Sequence, residues 1–270
     1  MNSKMLQTSK NGINYFHYPP WEKEGQVELG FSSRCGGVSE EPYDKLNLGY
    51  KWGDRTADVS ENRRLFLALW DKDERDLVCG DQVHGTNIAL VEKKTAGALI
   101  PETDGLITVE AGIVLGAFSA DCLLIYLWDP CARAIGLVHA GWRGTLGGIV
   151  YFAVEKMQTQ LGSHPERMQA LLAPCIRSCC YETGPDVIET AKGSNWGKQA
   201  VYYPKGNKGH AMFDLQQTNL NILCSAGLRQ NNISSSSFCT YCNPSFFYSY
   251  RRAGGGATGS HMGIIFLTER

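Results

Sequence analysis

The stretch IVLGAFSADCLLIYLWDPCARAIGLVHAGWRGTLGGIV, residues 113–150, decides the fold. Three of its segments, IVLGAF (113–118), LLIYLW (123–128) and RAIGLVHA (133–140), are apolar, partly β-branched and separated by short breaks. Continuous apolar runs of this length predict strands buried on both faces, because a half-exposed strand would alternate with polar residues. DPCAR, opened by Asp129-Pro130, is the turn between the second and third strands. Beyond Gly141 the pattern changes period. Ile149, Val150, Phe152, Ala153, Met157 and Leu161 recur at helical spacing and predict a helix over 146–161 that stops at Gly162.

Working outward, ADVSENRRLFLALW predicts a helix over 57–70, with Asp58 and Glu61 as its start signal. A third helix is expected over 214–226, from Asp214 to the Gly227 stop. Helices are interspersed with hairpins and no regular βαβ repeat occurs. The expected class is α+β, with mixed β-sheets packed together and helices on the flanks. NNISSSS (231–237) reads as a surface loop. No linker-like shift in composition interrupts residues 1–270, so one domain is expected.

Composition bounds the function classes. With 43% hydrophobic residues and 26 basic against 27 acidic ones, the chain carries a net charge of −1. That gives no field for holding nucleic acid or an anionic membrane. MNSKMLQTSKNGINYF lacks the apolar core of a signal peptide, and LLIYLW is far short of the roughly 20 residues that span a bilayer. A cytoplasmic protein acting on a small molecule is expected, without nucleic-acid or membrane partners. Ten cysteines in such a chain argue for free thiols or metal ligands over a disulfide framework.

Chemistry concentrates at the open end of the central hairpin. If Trp128 pairs with Ala134, Cys122 faces residue 140, within one register step. Cys122 and His139 are then side by side, with Cβ atoms about 5 Å apart. That suits a shared metal or a thiol–imidazole pair. His84, in GDQVHG, stands in the loop before the strand TNIALVE, where functional side chains gather. Two histidines and a cysteine make a competent zinc site, leaving a fourth position for water or substrate. The plainer reading is that Cys122 fills core and each histidine is hydrogen-bonded. Spacing alone does not choose.

GDQVHG, SADCLLI and GLVHAGWRGT resemble the signature of the polyphenol-oxidoreductase-like "laccase domain" family, whose members are called purine nucleoside phosphorylases or peptidoglycan-editing factors. Further matching segments follow in the same order nearly end to end. They are GFSSRCGGVSEEPYDKLNLG, ENRR, TDGLIT, APCIRSCCYETG and CTYCNPSFFYSYRRAGGGATG. The resemblance implies zinc ligands at His84, Cys122 and His139, with Cys122 and His139 also catalytic. It further implies a fold related to the catalytic domain of cytotoxic necrotising factors. The activity implied is phosphorolysis of purine nucleosides together with adenosine deamination. Copper-oxidase chemistry is a poor match, since a true multicopper oxidase uses about ten histidines. Only His17, His84, His139, His164, His210 and His261 are present, without a His-x-His pair. Copper is expected only as an adventitious occupant.

Arg143, at the start of the predicted helix, is the first candidate for phosphate or ribose. Its alternative role is to hold the turn against a carboxylate. The resemblance places Arg34, Asn47 and Arg251 around the same pocket. The C-terminal motif departs from the family pattern. Ala253 replaces an acid and Ser260 an arginine, so substrate contacts from those positions are missing. Asp121 or Glu182 would serve as general acid/base, although strand alternation turns Asp121 away from Cys122. Cys239 and Cys242, with Cys175, Cys179 and Cys180, offer thiols for a second, structural zinc site. Their irregular spacing and the lack of an adjacent histidine weigh against it. YPKGNKGH (203–210) reads as a solvated basic loop, the alternative being a lid over phosphate.

Three functions follow. The first is a zinc-dependent purine nucleoside enzyme acting on adenosine, inosine or methylthioadenosine. The second is a cysteine hydrolase built on Cys122 and His139 that edits peptidoglycan precursors. The third is a zinc-stabilised binding protein without activity.

Overall fold

The structure, a computed structural model, describes residues 5–204 and 209–269. Residues 205–208, the centre of the basic loop, lie outside them. In chain order the first strands are Leu6–Lys10 (β1), Ile13–His17 (β2), Val27–Ser32 (β3), Leu77–Gly80 (β4), Ile88–Leu90 (β5), Leu99–Ile100 (β6), Gly105–Thr108 (β7) and Val114–Ser119 (β8). They are followed by Leu123–Asp129 (β9), Ala134–Ala140 (β10), Gln169–Leu172 (β11), Glu182–Thr183 (β12), Tyr202–Pro204 (β13), Ala211–Phe213 (β14), Ile233–Ser235 (β15) and His261–Leu267 (β16). The helices are Pro19–Glu22 (α1), Thr56–Leu67 (α2), Trp142–Gly147 (α3), Ile149–Leu161 (α4), Pro185–Gly193 (α5) and Leu215–Ser225 (α6).

A seven-stranded sheet runs β1-β2-β3-β16-β8-β4-β6 and a six-stranded sheet runs β15-β11-β9-β10-β7-β5. Their inner faces share one core, in which Phe31, Leu115 and Ile265 meet Leu124, Tyr126 and Leu137. The outer face of the six-stranded sheet packs Ile125, Leu127 and Val138 against Val150, Ala153 and Met157 of α4 and Leu223 of α6. The outer face of the other sheet packs Leu77, Val114 and Ile264 against Phe66 and Leu67 of α2. Both sheets are therefore covered on both faces, which is why β9 and β10 are buried at every residue and their sequences do not alternate. This is the expected α+β class, with mixed sheets packed together and helices outside.

IVLGAF and LLIYLW fall in different sheets, β8 and β9. The chain crosses between them within 120–122, so Cys122 stands at the junction of the two sheets. Asp121 makes the crossing with φ at 104°, a conformation costing an L-residue about 1–3 kcal/mol. Its buried carboxylate accepts from Thr240 Oγ1 at 2.5 Å, Ser249 Oγ at 2.9 Å and the Arg251 N–H at 2.7 Å, which offsets that cost.

Four expectations are corrected. NNISSSS is not a surface loop, because Ile233–Ser235 pairs in parallel with β11 as β15 and Ser236 is buried beside it. The hairpin register lies one step from the expected one. Trp128 pairs with Ile135 and Ala134 with Asp129, because Asp129 belongs to the strand and its Oδ1 accepts the Cys131 and Ala132 N–H groups. The helix expected over 146–161 is two helices, α3 and α4, broken at Gly148 with φ at 82°. Arg143 thus lies inside α3. The helix at 57–70 starts at Thr56 without a side-chain cap, and Asp58 sits in its first turn, where a carboxylate complements the dipole; residues 68–70 form a 3₁₀ turn. The third helix matches, with Asp214 accepting the Gln217 N–H at 2.9 Å. α5 is an additional helix, opened by Pro185 in its first turn.

Candidate functional site

β4 and β5 are joined by the loop that carries His84, whose φ of 61° turns its backbone towards the sheet junction. One carboxylate holds this loop. Asp104, at the entry to β7, accepts the N–H groups of Val83 at 3.0 Å, His84 at 3.0 Å and Gly85 at 2.8 Å. It also accepts His139 Nδ1–H at 2.8 Å, and both side chains are buried. Asp104 therefore holds the backbone at His84 and the imidazole of His139 at once, and directs Nε2 of His139 away from itself.

Cys122 completes the cluster. Its Sγ lies 3.9 Å from His84 Nε2, the imidazoles of His84 and His139 meet edge to face at 4.9 Å, and one donor atom from each residue lies within 4.8 Å of the other two. Gly141, facing Cys122 beyond the paired residues, leaves the necessary room. A Cβ there would lie 2.9 Å from His84 Cδ2 and 3.1 Å from Cys122 Sγ. Gly141→Ala is expected to displace His84 and weaken metal binding about tenfold to a hundredfold, read by competition with a chelator, with little change in melting temperature.

Electrostatics favour a thiolate. Burial pushes the Cys122 thiol up, but the His139 and His84 imidazoles outweigh it and bring it down to about 6. Burial pushes His139 down, while the Cys122 thiolate and the Asp104 carboxylate raise it to about 9. In metal-free protein, alkylation of Cys122 is therefore expected to rise with pH through about 6 and level off above it. Peptide mapping after iodoacetamide treatment reads this. A midpoint near the ordinary thiol value of about 8.5 would mean that the imidazoles do not act on the sulfur.

Tyr181 feels the charges of Cys122, Arg251 and Arg143. Burial pushes the Tyr181 hydroxyl up, the Cys122 charge adds to this, and the Arg251 and Arg143 charges oppose it. Arg251 lies over the Tyr181 ring at 5.3 Å and donates from Nη1 to the Glu182 carbonyl at 2.7 Å. Arg143 stacks on Trp142 at 4.2 Å and remains exposed. It also lines a cleft of about 1000 Å³ walled by Trp142, Tyr151 and Trp196. None of the three candidate ligands lines that cleft.

Arg34 and Asn47 are occupied elsewhere. Arg34 donates to the Asp44 carboxylate and carbonyl and to the Pro244 carbonyl. The buried Asn47 side chain ties Gly49, Asp54 and the Ser260 N–H into one turn. Their donors hold loops. Asp121 is likewise committed to the 240–251 segment, whereas Glu182 bonds His210 Nδ1 at 3.1 Å. Asp104 is the residue that sequence reasoning missed. Its signal was the pairing of GLIT with GLVH, which sets Gly105 opposite Val138 and so Asp104 beside His139.

Fold and site together define an α+β sandwich with a His–Cys–His candidate metal centre at the junction of its main sheets. The chain belongs to the family described as multi-copper polyphenol oxidoreductase laccase, which matches residues 28–268. It is 35% identical over 248 residues to the purine nucleoside phosphorylase YlmD of Geobacillus stearothermophilus, covering 89% of this chain and 90% of that one. It is 33% identical over 242 residues to the adenosine deaminase RL5 of an unknown prokaryotic organism, covering 87% and 92%. The crystal structure of YlmD from Geobacillus stearothermophilus matches with a TM-score of 0.90 at 31% identity, over 99% of this chain and 100% of that one. Among the described residues no helix is long and apolar enough to cross a membrane.

Proposed function

We propose that the chain is a zinc-dependent purine nucleoside enzyme of the cytoplasm, acting as one catalytic domain. In this reading phosphate displaces the base from C1′ of adenosine, inosine or methylthioadenosine, giving free base and a pentose 1-phosphate, and water separately replaces the amino group of adenosine. The observation that carries it is the converging nitrogen, nitrogen and sulfur donor set, with Asp104 buttressing both histidines. A catalytic thiol–imidazole pair alone would have no need of a second imidazole beside the sulfur. The names of the relatives point to the same substrates.

His84, Cys122 and His139 would hold the zinc, which supplies a Lewis acid when bound. The other residues bind and orient. Arg143 and Arg251, whose charges both act on the Tyr181 hydroxyl, would offer two guanidiniums to a phosphate dianion. Tyr181 and Trp142 give apolar surface against which a nucleoside can lie. Glu182, next to Tyr181, is the candidate for proton transfer. The same ligands hold copper, so weak oxidation would come from that metal alone.

The test is chromatography of products after incubating zinc-loaded protein with adenosine, with and without phosphate. Phosphate-dependent adenine is expected, and Arg143→Ala should raise the KM for phosphate more than it lowers kcat. Neither adenine nor inosine under either condition would overturn the reading.

One observation favours a second reading. Asp104, His139 and Cys122 form a carboxylate–imidazole–thiolate line, the arrangement of a cysteine hydrolase. A peptidoglycan precursor would then be the substrate. Zinc occupancy separates the two readings, since a metal-bound thiolate is a poor nucleophile. Alkylation of Cys122 that is blocked by zinc favours the first.

A further inference from the structure

Away from this centre, four more thiols converge. Cys179, Cys180, Cys239 and Cys242 each place a sulfur within 4.8 Å of the other three. Sγ of Cys242 lies 3.7 Å from that of Cys179 and 3.2 Å from that of Cys180. A disulfide would need about 2.05 Å, and all four are free thiols. In a tetrahedral zinc–thiolate site with Zn–S near 2.3 Å, the sulfurs stand about 3.8 Å apart. The Cys179–Cys242 separation matches that spacing, the Cys180–Cys242 separation is shorter, and all four sulfurs lie within reach of one ion.

We propose that these four cysteines bind a structural zinc ion, distinct from the His84–Cys122–His139 centre. Three further features fit. Core filling does not explain the cluster, since Cys179 and Cys242 are exposed and only Cys239 is buried. Burial raises the Cys239 thiol, but the Arg177 and Cys242 backbone N–H groups and the neighbouring thiols outweigh it and favour the thiolate. Positive charge also stands near the cluster, since Arg252 interacts with Cys239. Four thiolates and one zinc ion leave a net −2, with as many as four protons released on binding. Arg177 contributes its backbone and lies near Cys175, while Arg252 donates to the Thr240 and Tyr241 carbonyls inside the knuckle.

The spacing that argued against this site included Cys175. The structure removes that objection, because Cys175 is a core residue, bridged by its backbone to Cys239 and absent from the cluster. With Cys175 set aside, the donor pairs are Cys179–Cys180 and Cys239–Cys242. Four sulfurs in a closed set without an imidazole select zinc as a structural ion rather than a catalytic one.

The site has a job to do. It joins two segments with little ladder of their own, 175–184 and 239–252. Asp121 ties the second of these on its inner side through three hydrogen bonds and the first through its carbonyl to the Ile176 N–H. The sulfur cluster ties both on the outer side. Cys180 directly precedes Tyr181, and Arg251 closes the other segment over the Tyr181 ring. The zinc would thus hold in place the wall of the candidate active site.

The test counts metal in reduced, zinc-supplemented protein. Cys122→Ala disables the first centre, so one equivalent of zinc should remain with it, and Cys122→Ala/Cys242→Ser should retain none. Cobalt loaded into Cys122→Ala should show an intense sulfur-to-metal charge-transfer band, a readout that survives if Cys242→Ser fails to fold. A strong chelator should lower the melting temperature of Cys122→Ala but not that of the double variant. Three results would each overturn the proposal: no zinc in Cys122→Ala with all four thiols titrating freely, a mass lower by the hydrogens of a disulfide, or visible absorption from thiolate-bound iron in the protein as isolated. None of these bears on nucleoside cleavage, so the two proposals fail independently.

Discussion

Cys122→Ala is expected to empty the His84–Cys122–His139 centre and to lower kcat/KM for phosphorolysis on the order of a thousandfold or more, with the chain still folded. Cys122 is the only anionic donor of the three; without it two neutral imidazoles remain, a set that holds zinc weakly. A Lewis acid contributes several kcal/mol to transition-state stabilisation, and each 1.36 kcal/mol is about a factor of ten. Folding should survive because Cys122 precedes β9, is partly exposed and belongs to none of the apolar clusters. Zinc content, circular dichroism and product formation measured on one preparation decide the matter. Activity that persists after zinc is lost would remove the metal from the chemistry. An unfolded variant, together with inactive wild-type protein, would favour the zinc-stabilised binding protein.

Asp104→Asn is the second large effect. The carboxylate accepts four hydrogen bonds while almost free of solvent. An amide of the same shape has one accepting oxygen, and its NH₂ group would face N–H donors. Breaking such a buried charged network costs about 3–5 kcal/mol, and losing the support of two metal-binding histidines costs a further tenfold to hundredfold in zinc affinity. Urea unfolding and zinc competition read the two losses separately. The pH dependence has a definite sign. Burial pushes the Asp104 carboxyl up, but His139 and the Gly85 and Val83 N–H groups together hold it below its usual value. Its stabilisation is thus present above the unfolded value and lost as the pH falls through the acid range. Unchanged urea midpoint and unchanged zinc affinity in Asp104→Asn would show that the carboxylate is not the buttress.

Much of this was legible in the residues themselves. The apolar runs at 113–118, 123–128 and 133–140 announced strands covered on both faces, because burial on both sides removes the need for alternation. The hairpin brought Cys122 near His139 to within one register step, since turn length limits which residues can meet. The third ligand, His84, stood out only as a histidine in a loop before a strand, and the family resemblance singled it out.

Tertiary structure decided the rest, because the deciding contacts join residues that are distant along the chain. Nothing local marks Asp104 as the group that positions two histidines, 20 and 35 residues away. Gly141 and Gly148 are both glycines flanking α3, yet one leaves room for the His84–Cys122–His139 cluster and the other bends the chain between α3 and α4. The four sulfurs also show the difference. Their spacing argued against a metal as long as Cys175 was counted among them, and only the fold places that thiol in the core and sets Cys179 and Cys180 beside a pair some 60 residues further on. Local sequence determines which stretches are strand, helix or turn, through backbone preference and the period of burial. Which side chains share a site depends on how those elements pack, and no short-range pattern encodes that.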